Sequence, residues 1–276
     1  MYATYKIDVN DITFKHYKES KDFLNLQRSD LSLLESVFLN INTVEEIINA
    51  EDILSSWFPL RNKQVFISHS HKDEYEALNL AAWLYDNFNI ECFIDSQVWR
   101  YSNDLQKMID NEYCRNYGSS TYNYEKRNIS TSHVHMLLNS AIQNMIDNCE
   151  CIIFIKSSNS VKPLTSLEQG DATHSPWINA EILSTKLLRR RKPEDHLGRP
   201  KPTFESIAKD SVNKILTIEY PLNLSNLISL DQSILERWKS NFLSNNIFES
   251  DKRFQALDYL YKLTSIPVIK ANSISR

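Results

Sequence analysis

The sequence predicts an α/β protein built on an open parallel sheet with helices on both faces. Short apolar runs recur along the chain and alternate with segments whose apolar residues repeat at helical spacing. Such alternation is typical of parallel sheets, whose strands are buried on both faces and joined by crossover helices. Only three of the 276 residues are glycine, which excludes the glycine-rich phosphate loops of many nucleotide-binding α/β proteins.

The composition is that of an ordinary globular protein, with 42% hydrophobic and 24% charged residues. A net charge of −4 gives no sign of a nucleic-acid partner. No apolar run approaches the ~20 residues that a membrane span requires. The first residues lack a signal peptide's apolar core, and the four cysteines include no C-x-x-C pair. We therefore expect a cytoplasmic protein with reduced thiols and no membrane partner.

Residues 1–62 are expected to be a helical extension. They show no strong strand alternation, whereas Thr43 to Glu46 form a capping-box pattern. Apolar residues from Ile47 to Phe58 then give a helix with one apolar side, which Pro59 ends. The remaining residues, 63–276, are expected to form one domain that contains the sheet.

Five apolar runs are the predicted strands of that domain, at residues 64–69, 90–95, 151–156, 214–219 and 266–270. A polar insertion near 115–131, rich in Asn, Ser, Thr and Tyr, is expected to be a surface loop. Two helices, near 231–243 and 251–263, precede the last strand.

The predicted connections favour the flavodoxin-like strand order 2-1-3-4-5, in which the first strand lies beside the third. Ligands of such sheets bind beyond the carboxyl ends of the strands, where the strand order reverses. Here those ends carry the small polar runs Ser68 to His71 and Ser157 to Ser160. The helix after the third strand should begin in the same crevice.

That helix carries an aromatic residue and a carboxylate on one face. Ser175 suits an N-cap and Pro176 suits the first helical position. Trp177 and Glu181 are four residues apart and therefore share a face. An aromatic wall beside a carboxylate can hold and polarise a sugar-like ligand. The alternative is a structural glutamate near a core tryptophan.

Four segments, in order, resemble bacterial Toll/interleukin-1 receptor (TIR) domains. Val65 to Asp73 resembles their first strand and the following turn, and Cys92 to Asp95 their second strand. Ile152 to Ser157 resembles the third strand, and Trp177 to Glu181 matches the W-x-x-x-E pattern of the enzymatic members. The resemblance covers roughly residues 63–220 and implies the same five-stranded sheet.

The resemblance implies an enzyme that cleaves NAD⁺ at the nicotinamide–ribose bond. The products would be nicotinamide and ADP-ribose, or a cyclic or modified ADP-ribose signal of bacterial antiphage defence. NAD⁺ would be the substrate, and no metal or separate cofactor is implied. Glu181 aligns with the catalytic glutamate and Trp177 with its neighbouring aromatic. The pocket loops would contribute Ser68, His69, Ser70 and Ser157.

The resemblance also implies self-association. Residues 96–103 correspond to the family's BB loop, which packs on a second subunit. Val98, Trp99 and Arg100 place apolar groups and a cation there, a combination enriched at interfaces. A downstream effector that senses the product is a further implied partner. The insertion at 115–131 and the long 158–175 loop depart from the family pattern.

Two other functions remain open from the sequence. One is a non-catalytic TIR scaffold, which has no need of the Trp177–Glu181 pair. The other is a nucleoside deoxyribosyltransferase on a related sheet, which also uses a carboxylate but fits the Val65 to Asp73 segment less well. His69-x-His71 and His133-x-His135 are interpreted as ordinary contacts rather than metal-ligand pairs.

Overall fold

A computed structural model describes residues 2–14, 17–26, 50–57, 63–163, 170–188, 220–243 and 252–265. Five parallel strands form one sheet, and three short strands form a second, antiparallel sheet. In chain order the strands are β1 (Ala3–Asp8), β2 (Val65–Ser68), β3 (Cys92–Ile94), β4 (Cys151–Lys156), β5 (Lys162–Pro163), β6 (Asp171–Thr173), β7 (Tyr220–Leu222) and β8 (Ile228–Ser229). The large sheet has the order β3-β2-β4-β1-β8 and the small one β5-β6-β7.

The described helices of eight or more residues connect or flank these strands. They are α1 (Ala50–Trp57), α2 (Glu74–Phe88), α3 (Asp95–Ile109), α4 (Tyr124–Asn148), α5 (Pro176–Leu187), α6 (Gln232–Leu243) and α7 (Lys252–Leu263). A π-helical turn, Asp110–Cys114, extends α3. Within the described ranges no helix is both long enough and apolar enough to cross a bilayer.

Helices cover both faces of the large sheet, which confirms the predicted α/β class. Successive side chains of a strand point to opposite faces. Ile67 and Ile153 pack in a cluster with α2, α6 and α7, whereas Phe66 and Ile152 pack with α1, α3 and α4. Phe154 packs against α5. The central strands are therefore buried from both sides, as their apolar runs predict.

The strand order agrees with the prediction on one side of β4 and differs on the other. The neighbours β3-β2-β4 reproduce the predicted 2-1-3 arrangement. The place beyond β4, expected for residues 214–219, is occupied by β1, with Ala3 opposite Cys151 and Asp8 opposite Lys156. Both 214–219 and 266–270 lie outside the described residues.

The predicted helical extension over 1–62 is therefore wrong at its start, although α1 is helical as expected. The strand signal is short: apolar Tyr5 and Ile7 alternate with the half-buried Lys6 and Asp8. So brief an alternation is weak evidence for a strand when the sequence is considered alone. The structure shows the neighbouring strand with which it pairs, β4.

Helix α3 replaces the loop expected at residues 96–103. It begins at Asp95, directly after β3, so Val98, Trp99 and Arg100 lie in a helix and the expected loop is wrong. Self-association through these residues stays a prediction. No glycine or proline occurs between Pro59 and Gly118. Nothing in the local sequence therefore interrupts a helix after β3.

The polar insertion is also shorter than predicted. Arg115 forms an antiparallel bridge with Tyr122 around a tight turn that contains Gly118, and α4 then begins at Tyr124. The Asn123 side chain accepts from the Lys126 amide at 3.0 Å and so caps α4. This cap is why residues 124–131 are helical rather than part of a loop.

Strand β1 makes a testable contribution to stability. Tyr5 is fully buried, and its hydroxyl lies 3.1 Å from Thr264 Oγ1, just beyond α7. Tyr5→Ala should lower the free energy of unfolding by about 3–5 kcal/mol, because it empties a large core volume. Urea denaturation measures this. Tyr117→Ala, at a fully exposed tyrosine, is the matched control, and an equal loss in the two variants would contradict the position of β1.

A second prediction concerns pH and Glu150, which precedes β4. Its carbonyl accepts from the Tyr2 and Ala3 amides, and its carboxylate accepts from the Tyr261 hydroxyl at 3.1 Å. The pKa of the Glu150 carboxyl is raised to about 7, with burial as the largest cause; the Tyr261 hydrogen bond and the N-terminal amine oppose this shift, and nearby Asp258 adds to it. The folded protein then binds this proton more tightly than the unfolded chain. Stability contributed by the proton is present below pH 4.5 and lost by about pH 7.

Glu150→Gln should remove this loss, since an amide stays neutral and still accepts from Tyr261. Relative to wild type, the variant should gain up to about 3 kcal/mol between pH 4.5 and pH 8. Urea denaturation at both pH values measures the gain, with Glu112→Gln on the surface as the control. Parallel pH curves for wild type and Glu150→Gln would contradict the assignment.

Candidate functional site

A buried hydrogen bond joins the carboxyl end of β2 to helix α5. The Ser68 hydroxyl donates to Glu181 Oε2 at 2.5 Å. Ser68 is fully buried, and Glu181 is 1% exposed. These residues are 113 positions apart in the chain, so the predicted convergence of the strand end and the helix is confirmed for this pair.

Local sequence sets the position of α5. Ser175 Oγ accepts from the Ile178 amide at 3.3 Å, and Pro176 occupies the first helical position, as predicted. Ile178 and Ile182 belong to the cluster that packs on Phe154 of β4. One face of α5 is thereby fixed on the sheet, which brings Glu181 over the end of the neighbouring strand β2.

Trp177 lies against α4. Its half-buried ring packs on the cluster around Val134 and Leu138 and meets His135 edge-on, with ring centroids 5.7 Å apart. Partial burial lowers the pKa of His135. Trp177 thus helps to fix α5 on α4, one helical turn before Glu181.

A second buried carboxylate links the ends of β2 and β4. Asp73 Oδ2 accepts from the Ser157 hydroxyl at 2.5 Å, and Asp73 Oδ1 accepts from the Asn159 side-chain amide at 2.6 Å. Ser157 Oγ in turn accepts from the Asn159 and Ser160 amides, at 2.9 and 3.2 Å. The carboxylate therefore holds the turn after β4 in one conformation, at the crevice where the strand order reverses.

Asp73 is a site residue that the sequence reasoning missed, and Asn159 was expected at the crevice only as part of the run Ser157 to Ser160. Asp73 precedes α2 at the N-cap position, where an aspartate usually accepts from the first-turn amides, but it makes no such bond. Its carboxylate turns across to β4 instead. The sequence signal was an acid soon after one strand end, combined with hydroxyl and amide groups after the neighbouring strand end.

The other residues of the first loop divide into buried and exposed groups. His69 is 3% exposed, and Ser70 is half-buried with its carbonyl accepting from the Asp73 amide at 2.7 Å. His71 is exposed. Ser68 and His69 are therefore buried at the end of β2, whereas His71 is exposed to solvent.

Among the described residues, no group of three or more His, Cys, Asp and Glu side chains is placed so that it could hold a metal ion. The four cysteines are free thiols, and burial raises the pKa of Cys149 to about 12. With its pKa raised in this way, the Cys149 thiol is a poor nucleophile at neutral pH.

No family model, no curated protein and no solved structure matches this chain. Function is therefore inferred from the chemistry of the crevice.

The Asp73 bridge leads to a stability prediction. Asp73→Ala removes both bonds to a charged acceptor and should lower the free energy of unfolding by about 2–4 kcal/mol. Amide hydrogen exchange at Asn159 and Ser160 should accelerate, because Ser157 Oγ loses its orientation. Asp104→Ala, at an exposed position of α3, is the control. Unchanged exchange in this turn would show that Asp73 does not hold it.

Proposed function

We propose that this protein is a TIR-type enzyme that cleaves NAD⁺ at the nicotinamide–ribose bond, with Glu181 as the catalytic carboxylate. The observation that carries the proposal is the Ser68–Glu181 hydrogen bond at the point where the strand order reverses. Open α/β sheets bind their ligands at this point. The W-x-x-x-E spacing of Trp177 and Glu181 supports the same assignment.

Cleavage of the nicotinamide–ribose bond requires mainly a negatively charged group placed close to the ribose. Nicotinamide leaves as a neutral molecule, so the step does not depend on a strong acid. Positive charge develops on the ribose as the bond breaks, and a nearby carboxylate stabilises it, as in glycoside hydrolysis. The Ser68 hydroxyl fixes one oxygen of Glu181, which holds the carboxylate in a single orientation.

Substrate recognition would come from the two loops that meet at the crevice. The turn at Ser157 to Ser160 is held by Asp73 and lies beside the loop that contains His69 and Ser70. Hydroxyl groups and backbone amides in such turns are suited to ribose and phosphate oxygens. Because Glu181 is 1% exposed, these two loops would have to move apart for NAD⁺ to reach it.

The same burial favours the second candidate, a non-catalytic TIR scaffold. A carboxylate that serves only to fix α5 on β2 would be covered and hydrogen-bonded, as Glu181 is. The two functions differ in what happens when the charge is removed while the shape is kept.

Glu181→Gln tests the proposal. We expect nicotinamide release from NAD⁺ to fall roughly a hundred- to a thousandfold, because the lost charge acts mainly in the transition state. The change in melting temperature should be small, since glutamine still accepts from Ser68. Nicotinamide is measured by chromatography, and a product mass spectrum distinguishes ADP-ribose from a cyclic isomer. Glu112→Gln, on the surface, is the matched control.

Two results would overturn the proposal. One is a Glu181→Gln variant that keeps more than about a tenth of the wild-type turnover. The other is a folded wild type that releases no nicotinamide over a range of protein concentrations, which would favour the scaffold. Release of base from a deoxynucleoside, with NAD⁺ left intact, would instead identify a deoxyribosyltransferase.

A further inference from the structure

A cavity separate from the Glu181 crevice lies between α1, the π-helical turn at Asp110–Cys114, and α4. Its volume is about 560 Å³, which is within the range of sites that enclose small organic ligands. Half of the described residues that line it are aliphatic, among them Ile53 of α1, Ile109 of α3, and Leu137 of α4. An apolar ligand body would therefore be removed from water on several sides.

One face of α4 provides the longest wall. Lys126, Ser130, His133 and Leu137 follow one another at intervals of three or four residues and therefore lie in one row. Ile129 stands beside this row and is 60% exposed. An apolar ligand that covers this isoleucine would remove apolar surface from water, and this removal favours binding.

Ser130, which lines the cavity, belongs to a polar hydrogen-bond network. The Ser130 hydroxyl donates to Asp110 Oδ1 at 2.6 Å and accepts from Gln106 Nε2 at 3.0 Å. The Arg127 side chain donates from Nε to Asp110 Oδ2 at 3.0 Å. Burial opposes ionisation of Asp110, but these hydrogen bonds outweigh it and lower its pKa, so the network keeps its charge at neutral pH.

The backbone of this wall is unusual. Asp110–Cys114 is π-helical, and both Tyr113 and Cys114 line the cavity. A π-helical turn is rare, because its wider turn packs less well than an α-helix, and it occurs frequently at functional sites. Here it begins at Asp110, which accepts from Ser130, and ends at Cys114 in the cavity wall.

Charge at the rim identifies the ligand class. Among the described residues that line the cavity, Lys126 alone carries a permanent charge, and His133 lies two helical turns along the same face. Both side chains are exposed. The carboxylate nearest in the network, Asp110, is paired with Arg127 and buried. The permanent charge on this rim is therefore positive, although the chain as a whole has a net charge of −4. A positively charged rim favours an anionic ligand.

We propose that this cavity binds a small amphipathic anion. Its aliphatic or aromatic body would lie between Ile53, Ile129 and Leu137, and its carboxylate would lie at Lys126. The site is independent of the proposed reaction at Glu181, so neither fails if the other does.

Isothermal titration calorimetry with decanoate tests the proposal on the full chain. Wild type should bind decanoate more tightly than decylammonium, which has the same apolar chain with the opposite charge, and should not bind acetate measurably. Lys126→Gln should weaken decanoate binding about tenfold. Lys186→Gln, at an exposed lysine of α5, should leave it unchanged.

Ile129→Glu places a negative charge at the mouth and should weaken decanoate binding at least tenfold. Leu187→Glu, at a leucine that is 73% exposed on α5, is the matched control. Both positions are exposed, so thermal melts should show that both variants fold. The proposal is wrong if decanoate does not bind wild type at millimolar concentration. It is also wrong if decylammonium binds equally well, or if Lys126→Gln and Ile129→Glu bind decanoate as tightly as wild type.

Discussion

The large sheet depends on β4 being hydrogen-bonded along both edges. Cys151 lies opposite Ala3 on one side and Val65 on the other, and Phe154 lies opposite Lys6 and Ser68. With both edges paired and both faces covered, the strand has to be apolar almost throughout. Register is set at its amino end, where the Glu150 amide donates to the Gln64 carbonyl and the Glu150 carbonyl accepts from Tyr2 and Ala3.

The arrangement at the opposite end of β4 follows from this pairing. Since β2 and β4 run parallel and in fixed register, the loops after Ser68 and Lys156 must emerge side by side. Asp73 can then reach Ser157 and Asn159, and Glu181 can reach Ser68. Two buried carboxylates at the carboxyl ends of these strands are thus hydrogen-bonded to partners more than 80 positions away in the chain.

The parts of the fold that the sequence predicted are those with strong local signals. Continuous apolar runs identified β2, β3 and β4, and the strand order that follows from them predicted the meeting of Ser68 and Glu181. The strand β1 was missed because a parallel partner can come from anywhere in the chain, and alternation around Tyr5 is brief. The loop expected at 96–103 is wrong, because this segment contains no glycine or proline and a helix begins directly after β3. The role of Asp73 was missed, because its partners Ser157 and Asn159 lie in a loop whose position is defined only by the sheet.

Buried polar groups alone do not identify a functional site in this protein. Glu150 is also a buried carboxylate, yet it lies at the amino ends of the strands, accepts from the Tyr261 hydroxyl, and has a pKa that burial raises to about 7. Asp73 differs because it accepts two short hydrogen bonds and gives up the helix cap that its position would allow. Apolar residues could replace such buried polar groups with little loss of stability. Their concentration at the edge where open α/β sheets bind ligands is what distinguishes this crevice from the rest of the core.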